Sequence, residues 1–151
     1  MLSKYGGSML SHVKLASNRE RPRLAIIAHD GKKADLVAFA TFNRSRLQEY
    51  DIVATGATGD LLRDKVGLEV ERVTAGPHGG DVQIASRVVE GDIDAVLFMV
   101  DPLDKHPHDP DIQTLLRICN VCNIPLATNI ATADVLISSP LLQEFRAAAA
   151  S

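Results

Sequence analysis

The sequence predicts a doubly wound, Rossmann-like α/β domain: a five-stranded parallel sheet flanked by helices. Two observations lead there. Five short apolar runs recur along the 151 residues, and each is followed by a segment with helical or turn-then-helix patterning. Strands alternating with helices imply βαβ units, whose parallel sheet must be covered on both faces. In such sheets ligands bind where the strands end and the helices begin. The five segments to inspect are therefore HDGKK, TGATG, AGPHGGD, DPLDKHPHDPD and TNIATAD.

Taken in order, RLAIIA (Arg23 to Ala28) is a short apolar strand, and KKADLVAFATF after it has helical spacing. YDIVA (Tyr50 to Ala54) reads as the second strand, followed by TGATG and the short helical piece DLLRDKV. LEVERVT (Leu68 to Thr74) alternates, as a strand exposed on one face does. DVQIASRVVEG is a helix closed by Gly91, a residue suited to the left-handed turn after a last helical residue. DAVLFMV (Asp94 to Val100) reads as a fully buried strand. A polar loop precedes a helix from about Pro110, with Asp109 as its cap and Pro110 in its first turn. IPLAT (Ile124 to Thr128) is the last strand and TADVLIS the last helix. Residues 1–22 read as an N-terminal extension and 23–151 as one domain, as the length suggests.

Composition narrows the function. Hydrophobic residues make up 46% and charged residues 23%, with a net charge of -3. That balance points away from nucleic-acid and membrane partners. No apolar run approaches the roughly 20 residues of a membrane helix, and the N-terminus lacks the apolar stretch of a signal peptide. A cytoplasmic protein is the expectation. The two cysteines, Cys119 and Cys122, end a helical pattern, whereas redox C-x-x-C motifs normally open a helix after a strand. They read as structural thiols.

The segments after the strands carry the chemistry. TGATG offers unhindered backbone N–H groups with the hydroxyls of Thr55 and Thr58, and AGPHGG offers more at the next helix start. Helix N-termini attract anions. Neither segment matches a Walker loop or G-x-G-x-x-G, so a small phosphate monoester fits better than a nucleotide. Lys33 can add positive charge, or simply be a solvated helix lysine. His29 ends the first strand and is as well explained by structure as by function. The loop Asp101 to Asp111 holds His106, His108, Asp104, Asp109 and Asp111, which makes metal ligation a rival. Its three prolines argue instead for a stiffened loop. Asp81, at a helix start beside glycines, has its ionised form favoured there, as a base requires. A helix-capping aspartate is the plainer alternative.

Together the stretches AHDGKK, ATGATGDLL, AGPHGGDVQIA, DPLDKHPHDPD and NIPLATNIATAD resemble the methylglyoxal synthase family, in order, from about Arg23 to Leu142. The patterns GPxGGDxQ and DPLxxxPHDPD are its most specific parts. The resemblance implies conversion of dihydroxyacetone phosphate to methylglyoxal and inorganic phosphate through an enediolate. It implies no metal or organic cofactor, a homohexamer, and inhibition by phosphate. Residue by residue, it implies Asp81 as the catalytic acid/base and His108 as the contact to the substrate oxygens. His29 and Lys33 match first-loop substrate contacts. Thr55, Gly56, Ala57 and Thr58 match the phosphate-binding loop, with Ala75 and Gly76 as a second binding pair. Asp30, Asp101 and Asp111 match further acids of the active-site region. Ala75 stands where the family often has serine and Ala57 where threonine is usual, so two hydroxyl donors are gone. Two rivals remain open: a non-catalytic regulatory module of the same fold, and a metal-dependent phosphoesterase using the Asp101 to Asp111 loop.

Overall fold

The computed structural model describes residues 21–105 and 109–143. Five strands, β1 (Arg23–Ala28), β2 (Asp51–Thr55), β3 (Val70–Val73), β4 (Ala95–Met99) and β5 (Leu126–Ala127), form one sheet in the order β3-β2-β1-β4-β5. Every pairing is parallel. β1 lies in the middle, and the chain leaves it toward β2 on one side before returning to place β4 on the other. The connections that follow β1 and β4 therefore diverge, which opens the crevice that doubly wound sheets use for ligands.

Alternate residues of β1 serve opposite faces. Leu24, Ile26 and Ala28 join one core with α1 (Lys33–Phe42), α2 (Arg44–Leu47) and α6 (Ile130–Ser138). Ala25 and Ile27 join a second core with α4 (Gly80–Val89) and α5 (Asp109–Val121). α3 (Gly56–Leu61) runs on into a wider π turn, Leu62–Val66, whose Leu62 and Val66 belong to the first core. Leu36, Leu47, Leu62, Ile84 and Leu115 are fully buried. Each such side chain contributes about 1.5–3 kcal/mol through the surface it removes from water.

The ends of the elements follow local chemistry. Asn129 caps α6, its side chain accepting from Thr132 N at 2.8 Å. Asn43 closes α1, its amide donating to Phe39 O at 3.0 Å. Gly91, at φ 77°, follows α4 as the sequence suggested. The structure differs from the expected boundaries in two instructive places. The segment TGATG is not a loop before a helix; Gly56 begins α3 directly after Thr55. Asp109 is the first residue of α5. The expected extension falls mostly in residues 1–20, outside the described residues, and β1 begins at Arg23.

Candidate active site

A cleft of about 380 Å³ opens at the carboxyl ends of β1 and β2 and beneath the connections after β3 and β4. Of the residues singled out from sequence, His29, Asp30, Lys33, Thr55, Ala57, Thr58, Ala75, Gly76 and Asp81 all line it. Segments separated by fifty residues thus meet around one space. Gly56 stands behind the lining, against Ala75. Asp101 reaches the site through His29, as described below. Asp111 lies in the first turn of α5 and is not among the lining residues. His108 lies outside the described residues.

The glycines of the site have definable tasks. A Cβ on Gly56 would stand 2.9 Å from both Cα and Cβ of Ala75, so only glycine lets these two walls meet this closely. Gly79 takes φ 98°, a left-handed conformation that side chains disfavour, and ends the short 3₁₀ turn Gly76–His78. A Cβ on Gly80 would fall 2.0 Å from Thr74 O. Gly80 N–H donates to Ala75 O at 3.0 Å and His78 N–H to the same oxygen at 2.9 Å. Gln83 accepts from Thr74 N–H at 2.8 Å, which ties the end of β3 to the first turn of α4. The spacing G-G-D-x-Q is therefore a folded turn that delivers the acid between its two anchors.

Asp81 is fully buried, in the first turn of α4. It is not the helix cap: Gly79 holds that position, and no side chain caps this end. A carboxylate placed here sits near the positive end of the helix dipole.

His29 is 6% exposed and is held on three sides. Its backbone N–H donates to Met99 O at 3.1 Å. Its ring meets Phe98 edge-on, with centroids 5.1 Å apart. Its Nδ1 accepts the Asp101 N–H at 3.0 Å. Lys33 pairs with Asp30, so its ammonium is already held at the cleft wall. Thr58, almost fully buried, directs its hydroxyl toward Ala28 O at a long 3.5 Å.

Among the described residues, three further charged or titratable ones line the cleft: His78, Asp104 and Lys105. Sequence reasoning weighed Asp104 only as a metal ligand and passed over His78 and Lys105. They occupy the x positions of GPxGGDxQ and DPLxxxPHDPD. Among the described residues no group of three metal-ligating side chains converges. Cys119 and Cys122 are free thiols on and just after α5, apart from the cleft lining. Burial, with Cys122 nearby, pushes the Cys119 thiol up to about 11.

Comparison with known proteins yields a consistent set. Residues 35–128 match the family described as MGS-like domain. A methylglyoxal synthase of Cupriavidus pinatubonensis is 53% identical over 118 residues, covering 78% of this chain and 91% of that protein. An uncharacterized protein of Synechocystis sp. is 54% identical over 114 residues, 76% of this chain but 26% of that longer protein. The crystal structure of a methylglyoxal synthase from Elizabethkingia anophelis superposes with a TM-score of 0.77 at 43% identity, covering 82% of this chain and 81% of that one.

Proposed function

The chain belongs to the methylglyoxal synthase family, and from that premise we propose that its cleft converts dihydroxyacetone phosphate to methylglyoxal and inorganic phosphate. The protein is a lyase of this type. The observation that carries the assignment is identity near 50% to methylglyoxal synthases over most of both chains. The buried acid among glycines at the mouth of α4 supports it from the side of chemistry.

In the proposed mechanism, the Asp81 carboxylate takes a proton from the hydroxymethyl carbon. The C–H electron pair becomes the carbon–carbon π bond of an enediolate, and negative charge develops on the carbonyl oxygen. His108 donates a hydrogen bond to that oxygen. The phosphate is gripped by the backbone N–H groups from Thr55 to Thr58 and at Ala75 and Gly76, with Lys33 as counter-charge. This grip holds the C–O bond to phosphate out of the enediolate plane, where it overlaps the π system. The bond then breaks with its electrons leaving on phosphate. As it breaks, the C1 hydroxyl proton passes to the departing phosphate and C1 becomes the aldehyde carbonyl; the enolate left behind becomes methylglyoxal by taking up a proton at its methylene carbon. Inorganic phosphate, sharing the substrate's anionic group, competes for the same N–H groups.

The family resemblance also supports a homohexamer acting in the cytoplasm. Among the described residues no helix is long and apolar enough to cross a membrane. The direct test is a cofactor-free assay of purified protein on dihydroxyacetone phosphate, repeated with excess chelator, together with the mass of the particle in solution. Failure to form methylglyoxal refutes the proposal, and loss of activity only with chelator revives the metal-dependent phosphoesterase. His108→Gln is expected to lower kcat by about 10²–10³, the usual cost of one oxyanion donor. A change confined to KM would make His108 a binding residue instead.

A further inference from the structure

We propose that Asp101 is a positioning residue that fixes His29 as the neutral tautomer with its proton on Nε2, making this histidine a standing hydrogen-bond donor rather than a proton carrier. The inference rests on the proposed function for its catalytic consequence, but not for its structural content.

A ring nitrogen that accepts a hydrogen bond carries no proton. Asp101 N–H donates to His29 Nδ1 at 3.0 Å, so the neutral ring must hold its proton on Nε2. A second proton, on Nδ1, would set two N–H groups against each other. Turning of the ring is hindered by its burial and its edge-on packing against Phe98.

The amide of Asp101 is itself held by its own side chain. Asp101 Oδ1 accepts Leu103 N–H at 3.0 Å, which folds the turn after β4 back on itself. The carboxylate also lies directly over Gly31, where a Cβ would stand 2.2 Å from Oδ2. The carboxylate thus seats the turn after β4 against the turn after β1, and the amide is delivered to Nδ1 as a result. Asp101 is not among the residues lining the cleft, whereas His29 is. Its effect on catalysis therefore passes through His29. Among the described residues, the charged and titratable groups sharing the cleft with that ring are Asp30, Lys33, His78, Asp81, Asp104 and Lys105.

The test combines a spectroscopic signature with a rescue. In protein carrying ¹⁵N-labelled histidine, the His29 signals, assigned by their loss in His29→Gln, should show Nδ1 bare and Nε2 protonated throughout about pH 5 to 8, where an ordinary imidazole titrates. Asp101→Ala removes the acceptor for Leu103 N–H. It should give mixed tautomers, let His29 titrate, and lower kcat by about tenfold or more with a smaller change in KM, as loss of an orienting partner does in metal-bound histidines. Asp101→Asn keeps the acceptor oxygen without the charge and should restore the tautomer and most of the lost turnover. The proposal is overturned if wild-type His29 carries its proton on Nδ1 or titrates normally. It is also overturned if Asp101→Asn is as inactive as Asp101→Ala while the tautomer stays fixed, since the carboxylate charge would then act directly. A wild-type protein inactive on dihydroxyacetone phosphate would instead sink the assigned function and leave the tautomer to be decided by the spectra alone.

Discussion

Asp81 could be suspected from sequence but not separated there from a helix cap. The structure separates the two, because Gly79 occupies the cap and Asp81 sits buried two residues inside it. Asp81→Asn is accordingly expected to abolish turnover while fold and phosphate binding persist. The checks are turnover, the thermal midpoint, and exchange of substrate protons with heavy water; retained exchange would mean that another group takes the proton. The neighbouring glycines give a paired prediction. Gly80→Ala forces a Cβ toward Thr74 O and should cost about 1–3 kcal/mol, with loss of activity as the turn moves. Gly79→Ala meets no atom within 4 Å but must hold φ 98°, a backbone cost of about 1–2 kcal/mol. Denaturant midpoints of the two variants measure both. Sequence alone could mark these residues as turn glycines. It could not say which one answers to space and which to backbone angle, since that depends on an oxygen from the preceding strand.

Strands and helices were largely readable because their apolar runs are short, separate and well punctuated. The start of α3 was not, since glycine is a poor helix former and Gly56 earns its place only by its approach to Ala75. β5 shrinks to Leu126–Ala127 because only those residues find partners on β4. The connection after β4 holds the residue most easily missed. Lys105 lines the cleft, where the methyl groups of Ala57 and Ala75 leave fewer hydroxyls to meet an anion. Lys105→Ala is expected to raise KM for dihydroxyacetone phosphate several-fold with kcat little changed; steady-state kinetics at two salt concentrations checks it, because an exposed charge is screened. α5 supplies a further expectation. Cys119 is buried with its thiol pushed up to about 11, so a thiol reagent at neutral pH should label Cys122 first.

The same thiol bears on the stability of the entire domain. Its folded value lies above the ordinary 9.0, so the folded state keeps a proton that the unfolded chain gives up. Its contribution is therefore full below about pH 9 and is lost as pH rises toward about 11. Thermal midpoints over that range should fall more steeply in wild type than in Cys119→Ala. Another long-range tie is the ion network in which Arg87 bridges Glu71 on β3 and Asp92 beyond α4, while Asp92 also meets Arg23 on β1.

The bond between Asp101 N–H and His29 Nδ1 joins residues 72 apart in the chain. It spans the β1–β4 pairing, the longest loop closure that the central strand must make. A refolding chain can form its helices from neighbouring residues, but it cannot hold that histidine until the two halves of the sheet have met. Recovery of the helical signal should therefore run ahead of recovery of turnover. The enzyme would spend part of its folding time with its helices formed and its cleft still silent.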